Sequence, residues 1–431
     1  LIFEGLRPDG FDRAARMLTG LQGQSVLALY HLDADAICVF AWVSAPLSEA
    51  TDTLFGLPLA PVRFIYARQA ADRPKVLDAA RHAVDAVVGA GASRGILRAP
   101  QPALTNSRAA APLEAPQAVA APVPDAAATL EAATAPLRFA PLTEALLATR
   151  ALAIHLPADL ALLPLLALPL GGDAPLVETH AVTMVERLTS IVAVDGTSTL
   201  PNVALPDAAD PKRQVAFGVP LLLWSPVTPE TGLVVADPAI APEGYAGLTF
   251  PPLPGARVEA GAVATLLGAR LVEGAGATGA TVLAAVETAE LFHYAGHGVA
   301  SSVSPLDKSY LALADGGLTA RKIQTLRLKK APLVVLSACD TGRGQAAGAG
   351  VIGLARAFQR AGASGTVISH WPVSDATAGP LMIDFYRELA LAPPAEALRR
   401  AALAARARHP SPADWAAFGY FGTPFVGMAP P

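Results

Sequence analysis

The chain has 431 residues, 52% hydrophobic and 16% charged, with 32 basic against 36 acidic side chains and a formal net charge of −4. That length allows two or three domains with a sizeable core, and the near-balance of charge offers no basic face for nucleic acid. The two cysteines, Cys38 and Cys339, are too few and too far apart for a disulfide framework, so a reducing compartment, the cytoplasm, is expected.

Residues 1–98 read as a small α/β region. Ser25 to His31 and Ile37 to Val43 run apolar on either side of Leu32-Asp33-Ala34-Asp35, a hairpin pattern, and Val62 to Tyr66 is a further strand. Arg73 to Val88 reads as a helix, with Pro74 in its first turn and Val76, Leu77, Ala80, Val84 and Val87 along one face. No secretory signal is visible, and the chain starts at Leu1. Residues 99–138 are rich in Ala and Pro and sparse in large apolar residues, which predicts a linker or long surface loop; the other reading is a cleavable or regulatory segment.

From 139 onward strands and helices alternate, the pattern of a mostly parallel sheet covered by helices. The strands are expected at 151–156, 232–236, 269–272, 290–294, 333–337 and 365–370. The helices are expected at 257–267, 278–286, 319–325, 348–361, 376–390 and 394–408. The apolar stretch 151–170 is interrupted by Pro157, Asp159, Pro164 and Pro169. A membrane span needs ~20 continuous apolar residues, so this stretch is read as strand plus turn, with no span. No repeat of fixed period is present.

Two of these strands end in reactive side chains. The run Leu333 to Leu336 leads to Cys339, and Leu291 to Ala295 leads to Gly296-His297-Gly298. Either residue alone is ordinary packing, but a thiol and an imidazole at two strand ends of one sheet are the parts of a nucleophile and its base. The N–H groups of Gly298 and Cys339 are then candidate oxyanion donors. His293 and His297, four apart on a strand, invite a zinc reading with Cys339, but no fourth ligand has convincing spacing; no metal is expected, and His293 is read as a core or supporting histidine. Gly348-Ala349-Gly350-Val351-Ile352-Gly353 matches G-x-G-x-x-G, but too far beyond its strand for a dinucleotide turn, and is read as a glycine-rich loop beside a helix start. Cys38, inside a strand pattern, is read as core.

The histidine segment Leu291-Phe-His-Tyr-Ala-Gly-His-Gly298 resembles the histidine motif of CHAT-domain cysteine peptidases, in the caspase and separase clan. Val334-Val-Leu-Ser-Ala-Cys-Asp-Thr-Gly-Arg-Gly344 resembles their cysteine motif. Gly353 to Phe358, Ala361-Gly362-Ala363, Trp371 to Asp375, Phe385-Tyr386 and Trp415 to Phe418 follow in the expected order, and Leu156 to Pro164 resembles the opening strand and turn. The similarity runs from about 140 and is strongest over 285–425. His370 is a departure, where the family usually has Leu.

The resemblance implies a caspase-like three-layer α/β sandwich over 139–431, with helices on both faces of the sheet and 1–98 as a pseudo-protease-like support. It implies peptide-bond hydrolysis through an acyl-thioester, His297 as base and then acid, Cys339 as nucleophile, and no cofactor. Asp375, Trp371 and Asp340 are the substrate-binding candidates. The context of Asp375 resembles the separase stretch whose Asp pairs with a P1 Arg, and an N-cap role for Ser374 or Asp375 stands beside that reading. Asp340 is read first as an Asx-type turn residue that fixes the loop after Cys339, with substrate contact as the second reading. A protein substrate and a regulatory or repeat-containing partner are the expected partners. The rival readings are a catalytically silent CHAT-like interaction module and a nucleotide-binding α/β protein.

Overall fold

The computed structural model describes residues 8–54, 57–88, 97–98, 126–161, 163–185, 223–224, 232–301, 304–339, 347–371, 373–422 and 427–428. The short apolar runs of the sequence become strands of one 13-stranded sheet. Ser25–Leu32 (β1) and Ala36–Ser44 (β2) form the expected antiparallel hairpin, and Val62–Ala70 (β3) pairs with β2 at the sheet edge. Ala151–His155 (β4) lies parallel to β1, and Ala181–Met184 (β5) parallel to β4.

The second half contributes Gly232–Pro238 (β6), Arg270–Gly274 (β7), Leu291–Val299 (β8), the hairpin Tyr310–Leu313 (β9) and Gly316–Thr319 (β10), Leu333–Cys339 (β11), Gly365–Ser369 (β12) and Phe418–Gly422 (β13). Across the sheet the order is β7-β6-β8-β11-β12-β13-β5-β4-β1-β2-β3, with the β9–β10 hairpin hung on the end of β8. From β7 to β12 every pair is parallel, whereas β13 is antiparallel to β12 and parallel to β5. The two parallel blocks therefore run in opposite directions.

Helices cover both faces: Pro8–Gln22 (α1), Arg73–Val88 (α2), Ala126–Thr134 (α3), Ala140–Leu147 (α4), Pro254–Leu267 (α5), Gly279–Val286 (α6), Ala347–Ala361 (α7), Asp375–Leu389 (α8) and Pro394–Arg408 (α9). The period-2 alternation of a strand decides which residue meets which helix. On β8, Phe292 packs on Phe358 of α7, while His293 points the other way to Glu259 of α5 and Tyr386 of α8. In the first half Leu27, Leu29 and Trp42 form a small core on the α1 side, where Trp42 Nε1 donates to Asp12 at 2.7 Å. Val26, Ala28 and Tyr30 face α2, α3 and α4. The fold class is the α/β, mostly parallel sheet with helices on both faces that the sequence predicts.

The end of the predicted linker is different. Residues 126–137 form α3 and a 3-10 turn, and Leu130, Ala133 and Leu137 are buried in the main core, with Leu137 O accepting from Tyr30 Oη at 2.9 Å. Residues 99–125 lie outside the described residues. The stretch 151–170 is β4 followed by short 3-10 turns, and among the described residues no helix is long and apolar enough to cross a membrane. The glycines at 348, 350 and 353 fall inside α7 rather than in a loop before it, because the helix opens at Ala347. That is not the strand-to-helix turn a dinucleotide phosphate requires.

Candidate active site

The backbone register of β8 and β11 sets the site. The two strands pair in parallel from Leu291 opposite Leu333 up to His297 opposite Cys339. Neighbouring strands lie about 4.8 Å apart, so the two residues are adjacent across the sheet despite their separation in sequence. Both strands are apolar along their length and buried on both faces, which fixes this register. The side chains of Cys339 and Asp375 lie outside the described residues, as does all of Asp340.

His297 is 1% exposed. Its Nε2 lies 2.7 Å from the backbone oxygen of Pro251, and the ring of Phe250 tilts against it at 5.3 Å between centroids. A carbonyl only accepts, so Nε2 carries the proton and Nδ1 holds the lone pair of the neutral ring. The imidazole is thereby oriented by the segment that leads into α5. That segment is held in turn by Asp237, at the end of β6: Oδ1 accepts from Leu253 N at 2.9 Å and Oδ2 from Arg257 Nε at 2.7 Å.

Below His297, the hydroxyl of Tyr294 sits 2.8 Å from His297 O and 2.7 Å from Ala312 O, tying the end of β8 to the β9 strand. A Cβ at Gly296 would come within 2.7 Å of that hydroxyl, which explains the glycine before His297. Gly298 is buried within β8, opposite Leu311 of β9.

His293 lies two residue pairs below His297 on the same face. Its Nδ1 is 2.9 Å from the Tyr386 hydroxyl, and its Nε2 is 3.3 Å from Glu259 Oε1. Burial and the Glu259 carboxylate hold the Tyr386 hydroxyl well above the usual phenol range. His293 is thus a core histidine linking two helices, and among the described residues no cluster of His, Cys, Asp and Glu is suited to a metal. Cys38 is buried in β2, where burial and then the charge of Asp33 push its thiol up.

Of the other predicted site residues, Trp371 is enclosed in the core, with its indole N–H donating to Ala413 O at 2.9 Å. Its side chain is buried, 2% exposed. His370 is buried against Trp371 and Phe421, and burial brings its pKa down to about 4. Ser374 is the N-cap residue of α8 by position, its side chain bonding no helix N–H, and Asp375 is the first residue of the helix. Sequence reasoning missed Asp237, Phe250, Pro251 and Glu259. The prolines after Asp237 and Leu253 mark chain breaks, but only the folded pairing across those breaks brings these residues to His297.

The site is thus an imidazole bonded to a backbone carbonyl, with a cysteine in register on the next strand of a parallel sheet. The CHAT domain family model matches residues 126–423, and the chain belongs to this family. A curated relative is mouse tetratricopeptide repeat protein 28, 29% identical over 214 residues, 40% of this chain; the match spans 9% of that much longer protein. Among solved structures, the Saccharomyces cerevisiae separase–securin complex matches over 64% of this chain and 15% of that chain at 13% identity, with a TM-score of 0.39. The Porphyromonas gingivalis RgpB pro- and mature domains match over 65% of each chain at 12% identity, with a TM-score of 0.38.

Proposed function

We propose that the protein is a cysteine endopeptidase acting through a Cys339–His297 dyad. The observation that supports this is the register pair itself: His297 and Cys339 are paired on adjacent parallel strands, with His297 Nε2 engaged by Pro251 O. In this reading Nδ1 takes the thiol proton, and the thiolate attacks the substrate carbonyl while the Gly298 and Cys339 N–H groups stabilise the oxyanion. His297 returns the proton to the leaving amine. Water, deprotonated by the same nitrogen, then hydrolyses the thioester. Asp375, at the start of α8, is the candidate partner for a basic P1 side chain, and Asp340 flanks the nucleophile. Trp371 enters only as packing behind them. The tetratricopeptide-repeat character of the curated relative supports a repeat-containing module as a regulator, in a larger chain or as a separate partner.

The test is labelling with P1-Arg and P1-Leu acyloxymethyl-ketone probes. Label on Cys339 in the native chain, none in Cys339→Ala and a strong reduction in His297→Ala are expected. Equal labelling of native and His297→Ala chains overturns the dyad. Absence of label with both probes favours a catalytically silent interaction module. Equal labelling by both probes removes the Asp375 pocket and leaves the peptidase reading standing.

A further inference from the structure

We propose that Asp237 is a positioning residue for His297, an inference that rests on the peptidase reading and deepens it. Asp237 is 3% exposed, and its backbone sits at φ 35, in the left-handed region that non-glycine residues seldom adopt. Such a backbone persists only where the surroundings determine it. Here the determinants are two hydrogen bonds from one carboxylate to both sides of the α5 start. Oδ1 accepts from Leu253 N, the residue before the helix, and Oδ2 accepts from Arg257 Nε in the first turn.

Pro254 opens α5 and brings no N–H of its own, and the Leu253 side chain makes no cap. The carboxylate of Asp237 therefore caps this helix from a different strand, favourably placed at the positive end of the helix. The capped segment is the one that presents Pro251 O to His297 Nε2 and lays Phe250 on the imidazole. Further down α5, Glu259 meets His293 on the same face of β8. The helix is thus pinned to the sheet at two points, and the carbonyl that selects the tautomer of His297 hangs from the upper one. Asp237 sits on β6, whose Ala236 is in register with Ala295 of β8, so the chain of contacts closes within one strand spacing of the imidazole. Without the carboxylate, residues 250–253 lose their anchor, Nε2 loses its acceptor, and Nδ1 is no longer fixed as the base.

Asp237→Asn keeps the shape and the tolerance for left-handed backbone but sets an amide N–H against Arg257. The expected result is a fall in kcat on the order of tenfold to a hundredfold, with KM changed by less than about twofold, since no substrate contact is touched. Imidazole 15N NMR gives a readout independent of turnover. The native chain should show His297 as the Nε2–H tautomer, and Asp237→Asn a tautomer mixture. Arg257→Ala, which removes one of the two bonds from a half-exposed side chain, should give the same changes in smaller degree and serves if Asp237→Asn does not fold. An unchanged His297 tautomer in the folded variants overturns the proposal, as does a variant that loses stability with kcat intact. A native chain without peptidase activity whose tautomer still responds to these substitutions retires the peptidase reading and leaves the positioning role in place.

Discussion

His370 is buried beside Trp371, Phe421 and the backbone of Gly419. Burial holds its pKa down to about 4, and burial with the charge of Arg150 does the same for His180. Both folded values lie below the ordinary histidine value of 6.5. As pH falls, the unfolded chain therefore takes up protons first, and the stability these residues contribute at neutral pH is lost between about pH 6.5 and 4. Between pH 7.5 and 5 the loss amounts to about 2 kcal/mol for each histidine. Urea denaturation at the two pH values checks this: His370→Leu should reduce the pH dependence by about 2 kcal/mol, and an unchanged slope would refute the assignment.

At the scale of elements, α5 and α8 meet over β8 through Glu259, His293 and Tyr386. The carboxylate and the imidazole are both fully enclosed, so removing one leaves a charge or a polar group stranded. Glu259→Ala is expected to cost about 3–5 kcal/mol, against about 1 kcal/mol for Tyr386→Phe, which deletes a single hydrogen bond. Chemical denaturation of the two variants tests the ordering, and equal losses would show that the contact bears no charge. None of this was legible in local sequence. The helices at 347–361, 375–389 and 394–408 were, because their apolar residues recur at helical spacing. Strands β4, β6, β11 and β12 were legible as unbroken apolar runs. Phe418–Gly422 was missed, because two glycines and three aromatics carry no alternation and its partners are remote in sequence. The β9–β10 hairpin had a signal in Asp315-Gly316 between two strand-like runs. Leu130, Ala133 and Leu137 keep helical spacing, hidden by the prolines and alanines before them. His297 and Cys339 were legible because glycines and apolar runs frame them; the carbonyl that orients His297 has no side-chain signature at all.

At the scale of the molecule, the family match begins at 126, yet the sheet does not. β1 pairs with β4 over five residues, and β1, β2 and β3 complete it to the edge. A chain of residues 126–423 exposes the open side of β4 and the apolar residues that β1 covers, which is a template for aggregation. It is expected to aggregate or to lack a cooperative transition where the full chain has one. A monomeric 126–423 fragment of full thermal stability would show that residues 8–88 are dispensable.

The opposed directions of the two parallel blocks have a mechanical consequence. The strands that deliver His297 and Cys339 terminate on one rim of the sheet, and β1, β4 and β5 terminate on the other. Of β1 to β5, only β2, antiparallel to β1, runs toward the rim where His297 and Cys339 lie. The two rims are joined by the shared sheet and by α9, which touches β5, β13 and α8 together.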